Sequence, residues 1–165
     1  MKNMKLGFVG VLAMAASLFL TSCNPCKDVV CNNGDCVEGD CVCNAGYESD
    51  DCSAAVNAKF SGRYTLTETC TTTGNDSYAV NLSPDATSPS AALIDSLYRE
   101  AFTLRLAIND DGLAFTIATT DIGSGSIRTT SAGTSNADGS TINIDYEFIS
   151  ETSAPSESCA AVLER

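Results

Sequence analysis

The chain has 165 residues, which suffices for one ordinary domain or for a mini-domain followed by a small one. Its 21 acidic and 9 basic residues give a net charge of −12, which disfavours nucleic acid and electrostatic docking on anionic membranes. The absence of histidine removes the usual general base, the usual partner of a serine or cysteine nucleophile and the commonest metal ligand. Hydrolase and zinc chemistry are therefore disfavoured.

Residues 1–22 have the pattern of an export signal. Lys2 and Lys5 precede an apolar run from Leu6 to Leu20. At about 1.5 Å per residue this run is shorter than the roughly 30 Å hydrocarbon core of a bilayer, so a permanent spanning helix is disfavoured. The pattern predicts a signal peptide that directs export.

The end of this signal is its most informative part. Leu20, Thr21, Ser22 and Cys23 are an aliphatic residue, two small residues and a cysteine. This tetrapeptide resembles the lipobox of bacterial lipoproteins. The resemblance implies that the Cys23 sulfur receives a diacylglyceryl group, that the peptide is cut just before it, and that residues 23–25 form the lipidated N-terminus. An ordinary secretory signal with a chance cysteine at its end is the alternative.

The residue after Cys23 bears on location. It is Asn24, and not the aspartate that favours inner-membrane retention in well-known lipoproteins. We therefore expect an exported protein that is lipid-anchored to a bacterial outer membrane and exposed at the cell surface. Two or three acyl chains give such an anchor, whereas one chain holds a protein only marginally.

Six further cysteines lie in residues 26–52, separated by four, four, four, one and eight residues. From Cys41 to Tyr47 the sequence is Cys-Val-Cys-Asn-Ala-Gly-Tyr, and Cys52 follows after a short spacer. This arrangement resembles an epidermal-growth-factor-like (EGF-like) domain, whose pattern there is Cys-x-Cys, two residues, Gly, an aromatic residue, a spacer and Cys. The resemblance implies a turn at Gly46 and Tyr47. It also implies three bridges, Cys26–Cys36, Cys31–Cys41 and Cys43–Cys52.

A disulfide framework agrees with the size of this segment. About 27 residues cannot bury enough apolar area to offset chain entropy, so covalent loops must supply stability. Disulfides need an oxidising compartment, which export provides. Six cysteines alone permit fifteen pairings, so the choice among them rests on the resemblance.

Metal binding is disfavoured in this segment on two counts. Cys-x-x-Cys knuckles, which zinc-thiolate sites favour, are absent from residues 26–52. The calcium-binding subclass of EGF-like domains has acidic residues just before its first cysteine, where this chain has Asn24 and Pro25. No cofactor is therefore expected apart from the lipid on Cys23. Five aspartates could still gather a cation loosely: Asp28, Asp35, Asp40, Asp50 and Asp51.

Residues 53–59 are predicted to form a short linker to a second domain, residues 60–165. Apolar and polar residues alternate there with a period of two, which predicts antiparallel strands with one wet face. About seven or eight strands fit a β-sandwich or a closed up-and-down barrel, lipocalin-like in the second case. The alternating segments begin at Tyr64, Tyr78, Phe102, Leu113 and Ile142, with a weaker one over residues 122–131 and a closing one over residues 159–163.

One segment of this all-β domain departs from the strand pattern. Ser88 and Pro89 look like an N-cap followed by proline at the first helical position. A short helix is therefore predicted near residues 89–99. The apolar residues with helical spacing are Leu93, Ile94, Leu97 and Tyr98.

Cys70 and Cys159 remain once six cysteines are assigned to the EGF-like module and one to the lipid. They lie on the first and last predicted strands of the second domain. A bridge between them would join the two ends of that domain, and we predict one.

Candidate catalytic groups are weak. Asp110 with Asp111, and Asp145 with Glu147, could be imagined as carboxylate pairs of a glycosidase. The first pair falls in a predicted turn, and the second lies on the solvent face of a predicted strand. Serine- and threonine-rich runs have no histidine to activate them. We assign no catalytic residue and do not expect an enzyme.

Two functions remain open. The first is a non-catalytic binding, adhesion or surface-assembly module with a protein or glycan ligand. The second is a carrier whose barrel encloses a small apolar ligand. Five side chains would line the carrier's cavity, whereas a core filled by them would favour the binding module: Phe102, Leu104, Phe115, Ile144 and Tyr146.

Overall fold

In a computed structural model of the protein, residues 25–99, 102–122, 125–151 and 156–165 are described. The predicted signal peptide and the lipidation residue Cys23 lie outside the described residues. A small disulfide module, defined here as residues 25–55, leads through the 3-10 helix Val56–Phe60 into a β-barrel that begins at Gly62.

Two short hairpins and three disulfides build the disulfide module. Strand β1, Gly34–Val37, pairs antiparallel with β2, Asp40–Cys43, through a two-residue turn with positive φ at both positions. Strand β3, Tyr47–Glu48, pairs with β4, Ala54–Ala55. The bridges are those that the resemblance implies: Cys26–Cys36, Cys31–Cys41 and Cys43–Cys52.

The remaining strands belong to one sheet. They are β5 Gly62–Cys70, β6 Gly74–Pro84, β7 Ala91–Asp95, β8 Thr103–Ile108, β9 Ala114–Ile117, β10 Thr120–Asp121, β11 Gly125–Thr129, β12 Gly133–Ser135, β13 Thr141–Ser150 and β14 Glu157–Glu164.

This sheet closes into an eight-stranded antiparallel barrel. Strands β5 to β9 pair in sequence order, and β14 pairs with both β13 and β5, which closes the ring. The short strands β11 and β12 together occupy one of the eight strand positions. Strand β12 pairs with β9 and with the first part of β13, while β11 pairs with the later part of β13. Of the two predicted architectures, the structure therefore has the up-and-down barrel.

Period-two alternation puts one side of each long strand inside the barrel. Along β5, Tyr64, Leu66 and Cys70 are buried while the intervening threonines are exposed. Strands β8 and β14 alternate in the same way. This is the behaviour of strands with a packed inner side and a wet outer side. The all-β prediction for this part of the chain is confirmed.

The short helix predicted near residues 89–99 is wrong. Residues 91–95 form β7, in which Ile94 pairs with Leu82 of β6 on one side and with Leu104 of β8 on the other. An isolated helix of this length is marginal in water, so local spacing cannot compete with two rows of strand hydrogen bonds and a buried inner face. The strand ends at Asp95, and Ser96, whose φ is positive, is followed by one 3-10 turn.

The two ends of the barrel differ. At the proximal end, where β5 begins, the 3-10 helix buries Val56 and Phe60 in the barrel core. The distal end is the one at which β5 finishes with Cys70. Residues 53–59, predicted as a linker, thus contain β4 and most of a packed 3-10 helix.

No helix among the described residues has the length and apolarity needed to cross a membrane.

A fourth disulfide joins Cys70 of β5 to Cys159 of β14. These two residues face each other in the register of the paired strands. The bridge therefore links the first and last strands of the barrel, at its distal end.

Candidate binding surface

The interior of the barrel is filled by side chains. Leu104, Phe115, Ile144 and Tyr146 are buried, and Phe102 is partly buried against the same core. Eight strands give a barrel just wide enough for side chains to fill. An apolar recess near the proximal end leaves no room for a water molecule, and its walls are Phe60, Ala92, Leu106, Ile108, Phe115 and Ile142.

A glutamate lies within this core. Glu68 is only 4% exposed, and its carboxylate accepts hydrogen bonds from the hydroxyls of Tyr146 at 2.5 Å and Tyr78 at 3.2 Å. Burial, and then the hydrogen bond to Glu68, raises the pKa of the Tyr146 phenol far above its ordinary value. Tyr146 therefore stays protonated and remains a hydrogen-bond donor. Its bond to Glu68 links β13 to β5, the two strands on either side of β14.

A second buried carboxylate closes the distal end. Glu157, also 4% exposed, accepts hydrogen bonds from the backbone amides of Thr72 at 2.8 Å and Thr73 at 2.5 Å, and from the hydroxyl of Tyr98. Burial opposes its ionisation, but the bonds from Tyr98, Thr73 and Thr72 outweigh burial and hold the pKa of this carboxyl below its ordinary value. Glu157 thus binds the loop after β5 to the start of β14.

The lowered pKa of Glu157 makes stability depend on pH. The carboxyl titrates lower in the folded chain than in the unfolded one, so its contribution is present above its ordinary pKa of 4.5 and is lost as the pH falls below it. We expect Glu157→Gln to lower the free energy of unfolding near neutral pH and to flatten its decline as the pH falls through and below 4.5. Urea unfolding of both proteins over this range measures the difference. Glu164→Gln, on the exposed side of the same strand, is the control, and parallel curves for wild type and Glu157→Gln would contradict the expectation.

The acid pairs considered from the sequence do not form a cleft. Asp110 and Asp111 lie exposed in the turn between β8 and β9, where Asp111 accepts a hydrogen bond from the Leu113 amide. Asp145 is exposed on β13, and Glu147 pairs with Arg128 at 2.8 Å. The structure therefore brings neither pair to a shared site.

The buried carboxylates were not singled out from the sequence. Glu68 occupies an inward position between Leu66 and Cys70, and Glu157 stands two residues before Cys159 on the same side of its strand. A charge at an inward position of an alternating strand was the available signal. It predicts burial, although it cannot identify the partners.

Asn57 fixes the 3-10 helix that follows the disulfide module to the loop between β6 and β7 of the barrel. It is buried, and its side-chain amide donates to the carbonyls of Ser88 and Ala91 at 2.8 Å and of Asp85 at 3.3 Å. Its backbone amide donates to the carbonyl of Pro89 at 3.1 Å. The loop between β6 and β7 is therefore folded around one side chain from the 3-10 helix. Nothing in the sequence pattern indicated this role, because Asn57 falls in the predicted linker.

The same loop is held from within by Asp85. Its carboxylate accepts from the backbone amide and hydroxyl of Thr87, and from Arg105 of β8 at 2.7 Å. Hydrogen bonds from Thr87 and then Arg105 lower the pKa of Asp85 to about 2. The loop thus has one conformation held from two sides.

Gly46 and Tyr47, predicted as a turn, lie where the disulfide module meets this loop. Gly46 has a φ of 85° and is buried, and a β-carbon there would lie 2.3 Å from the hydroxyl of Ser90. Its carbonyl accepts from the amide of Val56 at 2.9 Å. Nearby, Glu48 pairs with Lys59 at 3.1 Å. Glycine is therefore needed for close packing as well as for the turn.

The disulfide module carries the three most exposed large apolar side chains of the described residues, and two of them lie on the hairpin β1–β2. Val37 is 52% exposed and Val42 is 57% exposed, while Val30, next to a bridged cysteine, reaches 75%. Asp35 and Asp40 are exposed on the same side of the hairpin as the two strand valines. We call Asp35, Val37, Asp40 and Val42 the hairpin face.

The hairpin face was predictable in part. The neighbouring residues Cys36, Cys41 and Cys43 must point towards their bridges, so the residues between them must point away. The predictions from the sequence covered the cysteines and not the valines. Only the strand register places the four side chains together.

The charged residues of the disulfide module are almost all acidic. Residues 25–55 contain Lys27 as the single basic residue. Within the described residues, no group of three or more Cys, Asp or Glu side chains is arranged to hold a metal ion. The acidic residues of the module are Asp28, Asp35, Glu38, Asp40, Glu48, Asp50 and Asp51.

Comparison with known proteins returns no match to this chain among protein-family models, curated proteins or solved structures. The evidence for a binding surface is therefore the geometry of the described residues.

Proposed function

We propose that the protein is a bacterial lipoprotein, held by lipid on Cys23 in the outer membrane and displayed at the cell surface as a non-catalytic binding, adhesion or assembly module. The observation that carries this proposal is the hairpin face, an exposed apolar and acidic surface on a cross-linked frame. Such exposure on a small rigid module is typical of a contact surface.

The cross-links support an EGF-like nature for the disulfide module. Its bridges join the first cysteine of residues 26–52 to the third, the second to the fourth and the fifth to the sixth. This is the connectivity of the family that the spacing resembles. In the proposal, the module stands next to the bilayer because Cys26 follows the lipidated residue closely.

The packed barrel supports the binding module over a lipocalin-like carrier. Four of the five side chains that would line a ligand cavity are buried in the core, and the proximal recess leaves no room for water. A carrier needs a cavity of several hundred cubic ångströms. In the proposal the barrel is a scaffold, and Asn57 and Lys59 hold the disulfide module against it.

Replacing the anchoring cysteine tests the first half of the proposal. We expect Cys23→Ser to leave the precursor uncut and to abolish incorporation of labelled fatty acid, because serine supplies no thioether. Ser22→Ala, which keeps a small residue before the cysteine, is the matched control. Normal cleavage of Cys23→Ser, or undiminished labelling of it with fatty acid, would contradict the anchor.

Native mass spectrometry of the soluble form, residues 24–165, purified from cells, tests the second half. The proposal expects the bare polypeptide mass with four disulfides. A stoichiometric apolar molecule bound to the protein would instead establish the carrier.

A further inference from the structure

The hairpin face has a defined chemical pattern. The strand register pairs Asp35 with Val42 and Val37 with Asp40, so each valine lies opposite an aspartate. The two valines therefore occupy one diagonal of the face and the two carboxylates the other. Opposite side chains in such a pair are about 5 Å apart and diagonal ones about 7–8 Å, so one ligand strand can reach all four.

The side of the hairpin behind this face is covalently fixed. Cys36, Cys41 and Cys43 point into the module, and each is bridged to a different part of it. Surfaces that are rigid before binding lose little conformational freedom when a partner docks. The face is therefore ready to bind without rearrangement.

Among the described residues, no neighbour covers the two valines, and no basic side chain pairs with the two aspartates. Single exposed apolar residues are ordinary on soluble proteins, but here two of the four residues of the hairpin face are exposed valines. A third exposed valine, Val30, precedes the bridged Cys31. Neither Asp35 nor Asp40 forms an ion pair with a described residue. Both the apolar and the charged groups are available to a partner.

The charge of the surroundings selects the partner. A second copy of this chain would bring the same acidic module, and an anionic membrane would bring phosphates, so like charges oppose both. A basic, aliphatic segment is complementary. This inference rests on the proposed function: we propose that the hairpin face docks an extended segment of a partner protein in which a Lys or Arg stands two residues from a Val, Ile or Leu, so that both lie on the same side of the segment.

The period of the ligand follows from strand geometry. Residues two apart on an extended segment are separated by about 6.8 Å, which matches the spacing of Asp35 and Val37 along β1. Side chains two apart also lie on the same side of an extended segment, so an aliphatic side chain can lie between the valines while the basic side chains two positions before and after it reach the two carboxylates.

The test is an NMR titration of the soluble form, residues 24–165, with a synthetic peptide in which lysine and valine alternate at every second position and serine fills the positions between them. We expect saturable shifts of the Val37 and Val42 methyl signals that weaken as salt is added. Val37→Ser with Val42→Ser should weaken binding about tenfold. Asp35→Asn with Asp40→Asn should weaken it about fivefold and remove most of the salt dependence.

Two controls make the titration specific. Val162→Ser changes an exposed valine on β14 of the barrel and should leave the affinity unchanged. The same peptide with glutamate in place of each lysine should not bind. Unchanged barrel amide signals in each variant verify that the fold is intact.

Several results would overturn the inference. Methyl shifts confined to other parts of the protein, equal binding of the glutamate peptide, or full affinity in the aspartate variants would each do so. Shifts of Val37 and Val42 on raising the concentration of the protein alone would replace the basic partner with a second copy.

Binding of the labelled soluble form to intact cells separates this inference from the proposed function. If wild type binds saturably and the hairpin variants bind equally well, the inference fails and the binding module stands. If wild type binds no cell-surface material, the proposed function fails as well.

Discussion

Replacing both Cys70 and Cys159 by alanine is expected to lower the free energy of unfolding by about 4–5 kcal/mol. The bridge closes a sequence separation of 89 residues, and its loss returns that loop entropy to the unfolded chain. Because the residues lie opposite each other on β5 and β14, the bridge joins the two strands whose pairing closes the barrel. Equilibrium urea unfolding monitored by tyrosine fluorescence measures the change.

The control for this variant lies on the same strands. Thr67 and Val162 face each other on the outside of β5 and β14 without a covalent link. Thr67→Ala should change the unfolding free energy by no more than about 0.5 kcal/mol, as exposed substitutions usually do. A loss below about 1 kcal/mol in the double cysteine variant would show that strand pairing alone closes the barrel.

Asn57→Ala is expected to cost about 2–3 kcal/mol and to release the loop between β6 and β7. The variant removes two 2.8 Å hydrogen bonds, to the carbonyls of Ser88 and Ala91, from a buried position, and alanine cannot replace the donor. Amide hydrogen exchange should rise in residues 85–91 more than elsewhere in the barrel. Denaturant unfolding gives the free energy, and the exchange map shows where the effect lies.

Two comparisons separate the hydrogen bonds of Asn57 from its volume. Asn57→Asp keeps the shape but turns an oxygen towards the same carbonyls, so it should destabilise at least as much as alanine. Asn143→Ala, at an exposed position on β13, should have little effect. Unchanged exchange in residues 85–91 of Asn57→Ala would mean that Asp85 and Arg105 hold the loop alone.

Both variants also report on how the two parts of the chain are coupled. Cys70 and Cys159 act within the barrel, whereas Asn57 acts between the barrel and the 3-10 helix that follows the disulfide module. If Asn57→Ala also weakens the protection of β3 and β4, the module depends on the barrel for its order. This coupling matters for the proposed function, because a docking surface on a rigid base loses less freedom on binding.

Part of the candidate site could be predicted from the sequence and part could not. The side chains of Cys36 and Cys41 must point inward to form their disulfides. Because neighbouring side chains on a strand point to opposite sides, the outward direction of Val37 and Val42 could have been predicted. The pairing of Val37 with Asp40 depends on the hairpin register, which is set by a turn whose two residues have positive φ. The role of Asn57 was beyond prediction, because its partners lie 28 to 34 residues away.

Properties that repeat over a few residues were already readable in the chain: inward and outward positions alternate along β5 and β8 because neighbouring side chains on a strand must point to opposite sides. Pairings between distant segments were not readable in this way. The ring closed by β14, the strand at residues 91–95 where a helix was predicted, and the burial of Val56 and Phe60 all depend on surfaces that meet only after the chain has folded. Their free energy comes from contacts between residues far apart in sequence, and local spacing carries no information about which distant segments will supply them.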